Sequence, residues 1–180
     1  MAIHFPALVL NADARPLSYH PLSLWSWQDA VSAVIADRVQ VLAHYDEVAR
    51  SPSFEMHLPS VLMLRQYVDL DRPAAFSRWN ISVRDRFECC YCGAKDDLTF
   101  DHVQPRSRGG PMTAENIVLA CSPCNSRKRN RTPEEAGMVL RRKPYAPTVA
   151  QIREIGRSYP VPDLHKTWLD WLYWDVPLEA

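Results

Sequence analysis

Two Cys-x-x-Cys pairs, Cys89 with Cys92 and Cys121 with Cys124, constrain this chain more than any other feature. Each pair can offer two thiolates to one ion, and two pairs complete a tetrahedral set. Such a set calls for a structural Zn²⁺. A catalytic zinc is not expected there, because four thiolates leave no open position for water. The duplicated spacing argues against four merely reduced, buried cysteines. The 28 intervening residues (93–120) exceed the roughly 15–20 of a zinc ribbon, so a ββ hairpin is expected between the pairs. Cys90 is left over; it lies too close to Cys92 for a knuckle and is assigned to packing or partial exposure. A disulfide framework is not expected, because the N-terminus MAIHFPALVL lacks the basic start and long apolar run of an export signal.

The segment between and after the pairs reads as strand, loop, strand, helix. LTFDHV (98–103) and NIVLAC (116–121) are the expected strands, joined by a loop containing Arg106, Arg108, Gly109 and Gly110. Ser122-Pro123 predicts a helix start, with Ser as N-cap and Pro at the first helical position. That helix carries Cys124, Asn125 and Lys128. Thr132-Pro133-Glu134-Glu135 is a capping-box pattern and predicts a second helix start. A unit this small cannot hold its shape by apolar burial alone, and a tetrathiolate zinc would supply the missing stabilisation.

Inside this frame sits an Asp-His dipeptide, Asp101-His102, at the end of the first strand. Adjacent strand residues point to opposite sides, so one can ligate a metal while the other faces a water. Asn125, on the first turn of the following helix, can bring an amide oxygen to the same ion. Asp plus Asn makes a hard, oxygen-rich, incompletely filled site suited to Mg²⁺ or Mn²⁺. His102 has the natural pKa of a general base near neutral pH.

Residues 84–138, RDRFECCYCG…LTFDHVQPRSRGG…ENIVLACSPCNSRKRNRTPEEAGM, resemble an HNH endonuclease of the zinc-stabilised ββα-metal class. The resemblance covers about the central third of the chain. It implies that His102 is the base that activates water and that Asp101 is the first metal ligand. It implies that Asn116 braces the loop and so orients the histidine, and that Asn125 fills the third position, often His, as a metal ligand. The sequence is thus an HNN variant. The implied activity is metal-assisted hydrolysis of DNA by one divalent ion, leaving 5′-phosphate and 3′-hydroxyl ends. Arg106, Arg108, Arg127, Lys128, Arg129 and Arg131 are the candidate phosphate contacts. Two other readings stay open: a zinc-stabilised nucleic-acid-binding module without catalysis, and an RNA-directed nuclease.

Formal net charge is zero, yet its distribution is uneven. Residues 78–143 carry 13 Lys+Arg against 8 Asp+Glu, a net of +5, while 1–77 carry 5 against 8 and 144–180 carry 3 against 5. The positive charge gathers where phosphate binding needs it. The chain divides accordingly into a β-rich N-terminal lobe (1–77), a nuclease core (78–143) and a C-terminal helical extension (144–180), an α+β architecture. The lobe could be a specificity element, a dimer surface or a scaffold; its acidic balance suits it poorly to a broad DNA-binding face. Monomer and homodimer both remain open.

In the lobe, ALVLN (7–11) predicts a buried strand and residues 25–38 an amphipathic helix. VQVLAHY (39–45) predicts a strand, and FEMHLPSVLML (54–64) an extended pair broken at Pro59. HKTWLDWLYW (165–174) predicts a short helix whose aromatics pack on the body. Trp25, Trp27, Trp168, Trp171 and Trp174 are assigned to core or interface. His4, His20, His44, His57 and His165 are assigned structural roles, and Arg141-Arg142-Lys143 is read as a solvated run. No run approaches the ~20 apolar residues of a membrane span, so a cytoplasmic address is expected.

Overall fold

The computed structural model describes residues 5–161 and 164–172, so His4, Trp174 and the end of the expected tail helix (173–174) lie outside the described residues. The chain forms two compact units, one of Met1–Asp69 with Gly156–Ala180 and one of Leu70–Ile155. Residues 70–77 and 144–155 thus belong with the cysteine segment, whereas the sequence suggested breaks after 77 and 143. Backbone pairing is the reason: Ala74 N–H donates to Pro147 O, Val149 N–H to Arg72 O and Ala150 N–H to Leu70 O.

The first unit is a four-stranded sheet in the order β2-β1-β4-β3, formed by β1 (Ala7–Leu10), β2 (Leu24–Trp25), β3 (Val39–Ser51) and β4 (Phe54–Leu64). β1 runs parallel to β4; the other pairs are antiparallel. Strand alternation sends Leu8, Leu10 and Val61 to one face, where Tyr19, Trp168 and Leu172 cover them. Ala7, Val39 and Leu62 go to the other, under Ala30 and Ala33 of α1 (Trp27–Ile35). Helix α1 is shorter than the expected 25–38 because Ser26 caps it, its hydroxyl accepting Asp29 N–H at 3.2 Å. Trp168 leads into α5 (Leu169–Leu172), and its indole N–H donates to Ser60 O at 2.9 Å.

Strand β4 continues through Pro59, contrary to the expected break. Pro59 faces His44 of β3 between two register irregularities, and β1 pairs only with Val61, Leu62 and Met63. Neither neighbour therefore needs the missing N–H. A feature the sequence did not suggest is Asn11, fully buried. Its amide exchanges two 2.8 Å bonds with the backbone N–H and C=O of Val68, imitating one more strand partner.

The second unit is built on the antiparallel hairpin of β5 (Leu98–His102) and β6 (Ile117–Cys121), in the register Asp101↔Val118 and His102↔Ile117. Helix α3 (Ser122–Lys128) follows directly. Cys121, not Ser122, occupies its N-cap position; Ser122 is already helical and Pro123 sits in the first turn. Helix α2 (Arg78–Arg84) precedes the cysteines, and α4 (Val149–Gly156) follows the core. The capping box forms, Thr132 N–H reaching Glu135 Oε2 at 3.1 Å and Glu135 N–H reaching Thr132 Oγ1 at 3.3 Å. No second helix grows from it, because the chain leaves after one turn at Gly137, whose φ is +63°.

A buried ion pair fastens α2 to the hairpin. Arg84 Nε donates to Asp85 Oδ1 at 2.8 Å, with both side chains almost fully buried. The guanidinium also donates to the carbonyls of Ala114, Tyr145 and Ile117, and Asp85 Oδ2 accepts Leu119 N–H at 2.8 Å. Every charge is hydrogen-bonded, which is the condition for burying one without large penalty.

Candidate active site

The four sulfurs of Cys89, Cys92, Cys121 and Cys124 all lie within 4.8 Å of one another. The first knuckle turns through Gly93 at φ +84°, with Cys89 N–H bonded to Ala94 O and Gly93 N–H to Cys89 O. The chemistry of the set fits a thiophilic dication. Burial pushes the thiols of Cys121 and Cys124 up, and it opposes ionisation of Cys89 as well. At Cys89 the backbone N–H groups of Cys92, Cys121 and Tyr91 prevail and bring it down to about 6. Burial thus opposes ionisation at Cys89, Cys121 and Cys124, whereas a tetrathiolate site needs thiolates, and a bound dication supplies the compensating positive charge. Cys90 stands apart: burial, then the carboxylate of Asp85, raise its thiol to about 12.

Strand alternation separates Asp101 from His102 as the sequence suggested. Asp101 is buried beside α3: Tyr91 O–H donates to its Oδ2 at 2.7 Å, and Lys128 Nζ donates to its Oδ1 at 3.0 Å. Burial, then the Asp101 carboxylate, hold the Tyr91 phenol well above its ordinary range, so it stays a donor. On the same side, Asn125 Nδ2 donates to Thr99 Oγ1 at 3.0 Å, whose own hydroxyl donates to Ala120 O. This relay fixes the amide orientation and turns the carbonyl oxygen, Oδ1, away from Thr99. Asp101 retains lone pairs beyond the two in use. A carboxylate and an amide oxygen are the hard donor types that a Mg²⁺-type ion keeping most of its waters takes.

His102 lines a cleft of about 270 Å³ with Phe76, Arg78, Phe100, Met112 and Ile117. Its Nε2 is buried and, among the described residues, has no hydrogen-bond partner. Arg78 lies over the Phe100 ring, 5.7 Å from its centroid. Native proteins rarely leave such a nitrogen unpaired.

Asn116 closes the loop between the strands. Its Oδ1 accepts Gln104 N–H at 2.8 Å, and its Nδ2 donates to Gln104 O at 3.1 Å and to Pro111 O at 2.8 Å. Gly110 makes this possible: a Cβ there would come within 1.8 Å of Gln104 O.

The six basic candidates divide. Arg106, Arg127 and Arg129 are exposed and unpaired among the described residues. Arg108 holds Glu135 at 2.7 Å, and Arg131 is exposed but caps α3 through the carbonyls of Arg127 and Lys128. Lys128 does not fit the role assigned from sequence. Its side chain is 1% exposed, and its ammonium is spent on Asp101 Oδ1 and on His102 O at 2.6 Å; no phosphate can reach it. Arg142 is likewise not simply solvated, since it donates to Asp85 O and to Glu88 Oε2, each at 3.0 Å. Sequence reasoning missed Tyr91, Arg84 and Asp85, because nothing in their spacing marks them.

Comparison with known families bears directly on this geometry. Residues 89–131 match the HNH endonuclease family, and residues 7–72 match the HNH endonuclease-associated N-terminal domain. The chain carries an HNH endonuclease domain behind an HNH-associated domain. No curated protein matches the chain. HNH endonucleases are phosphodiesterases, so the domain implies nuclease activity on a nucleic acid. Among the described residues, no helix of the HNH protein is long and apolar enough to cross a membrane.

Proposed function

We propose that the protein is a metal-dependent DNA endonuclease in which His102 is the general base. The observation that carries this reading is the placement of His102 at the end of β5, where it lines a cleft and its buried Nε2 has no hydrogen-bond partner among the described residues. There it can take a proton from a water, which then attacks phosphorus in line with the departing 3′ oxygen. Asn116 pins residues 104 and 111, so the strand end carrying His102 is held while the water loses its proton. Asp101 and Asn125 would hold one Mg²⁺ or Mn²⁺ ion. When bound, such an ion stabilises negative charge on the phosphoryl and leaving oxygens. Arg106, Arg127 and Arg129 supply exposed positive charge for the backbone, with Arg108 and Arg131 beside them. Products would carry 5′-phosphate and 3′-hydroxyl ends.

Digestion of duplex DNA, single-stranded DNA and structured RNA, each with Mg²⁺, Mn²⁺ or chelator, tests the reading. Duplex cleavage that needs the added ion is expected. Binding without cleavage across all metals would instead favour a nucleic-acid-binding module, and cleavage confined to RNA would move the substrate.

A further inference from the structure

The same ammonium that cannot reach a phosphate occupies the most consequential position in the HNH domain. Lys128 lies three residues after Asn125 on α3, on the side facing β5. Its Nζ sits 3.0 Å from Asp101 Oδ1 and 2.6 Å from His102 O. Both side chains are almost fully buried, 1% and 6% exposed. The other group on the carboxylate is the neutral Tyr91 hydroxyl. The pocket around Asp101 is therefore electrically balanced without any ion.

We propose that Lys128 is a resident counter-cation that keeps divalent-ion affinity low until a phosphodiester enters. This rests on Asp101 being the ion's carboxylate ligand, as proposed above. An ion taken up by Asp101 lies within a few ångströms of the ammonium, and buried like charges at that range repel strongly. One carboxylate already neutralised by one lysine offers a dication little net attraction. A phosphodiester brings one further negative charge and its own oxygens, which tips the balance toward uptake. Ion and nucleic acid then bind with positive coupling, and each raises the affinity of the other by the same factor. The substrate-free protein holds little ion, which spares it metal-assisted chemistry in the absence of substrate. A purely structural role for Lys128, tying α3 to β5, makes none of these claims about metal affinity.

The test is Mn²⁺ binding to the zinc-loaded full chain, followed by calorimetry or by the paramagnetic resonance of free Mn²⁺. Lys128→Met is expected to bind Mn²⁺ about tenfold or more tightly than the parent without DNA, and adding Asp101→Asn to it removes the gain. Lys128→Arg, which keeps the charge, should bind as weakly as the parent. For the unaltered protein, an uncleavable phosphorothiolate duplex should raise Mn²⁺ affinity about tenfold, a readout that survives if Lys128→Met fails to fold. Unchanged affinity in a folded Lys128→Met, or no effect of the duplex, overturns the proposal. Cleavage activity is scored separately. A protein that cuts DNA but binds Mn²⁺ equally with and without Lys128 keeps the nuclease reading and loses this one. The reverse pattern does the opposite.

Discussion

Replacing Asn116 by alanine removes three hydrogen bonds at once: from Gln104 N–H at 2.8 Å, to Gln104 O at 3.1 Å and to Pro111 O at 2.8 Å. At about 1 kcal/mol net for each bond, the loss is about 3 kcal/mol. Most of it should appear as local opening of the loop between β5 and β6, because the hairpin ladder itself is untouched. That energy corresponds to a roughly 100-fold rise in the open population. Amide exchange of Gln104, whose N–H is bound by the Asn116 side chain, should therefore accelerate by about two orders of magnitude. Cleavage should fall mainly in kcat, since the exposed arginines proposed to contact the substrate are unaffected. Asn116→Asp keeps the acceptor for Gln104 N–H and loses both donated bonds, so it should lie between the two. Gly110→Ala is an independent route to the same defect, because its Cβ would press on Gln104 O at 1.8 Å and on Asn116 Nδ2 at 3.0 Å. If Gln104 exchange is unchanged in Asn116→Ala, the clamp is not what holds the loop, and the reasoning fails.

Three further outcomes are expected. The protein should carry about one zinc per chain by elemental analysis, and chelation or Cys121→Ser should unfold the second unit, since a structural zinc supplies about 10 kcal/mol. Arg84→Met should cost about 3–5 kcal/mol in denaturant unfolding, because it strands the buried Asp85 carboxylate; a loss below 1 kcal/mol would contradict the clamp. Stability should also fall at alkaline pH. Burial and Glu47 raise Tyr45 to about 12, and burial and Asp85 raise Cys90 to about 12. Both groups favour the protonated folded state, so their contribution is complete below pH 9 and lost between about 9 and 12. Tyr45→Phe should flatten part of that slope in thermal melts taken across the range.

The hairpin and its helix were legible because each carries a local signal. Alternation of apolar and polar residues marks β5, a short continuous apolar run marks β6, and Pro123 marks the start of α3. The cysteine cluster was legible from spacing alone, and so was the placement of Asp101 and His102 on opposite faces, which follows from strand geometry. What escaped was tertiary. Lys128 reads as one of the four basic positions between 127 and 131, and only the packing of α3 on β5 reveals that it points inward at Asp101. Arg84 and Asp85 look like surface charge until burial pairs them. Pro59 reads as a break because a lone strand has no register, and the irregularity that accommodates it belongs to β3. The capping box at Thr132 forms as expected, but a cap only starts a helix, and Gly137 ends this one within a turn.

The central claim is that His102 is the base of a metal-dependent nuclease, and one comparison tests it most directly. Cleavage of a labelled duplex is measured for the unaltered protein and for His102→Ala at equal zinc content, over a range of Mg²⁺ and Mn²⁺. The account predicts that the variant keeps its zinc, its fold and its DNA affinity while its single-turnover rate drops by about 10²-fold or more. Equal cutting by a zinc-loaded, folded His102→Ala would contradict it.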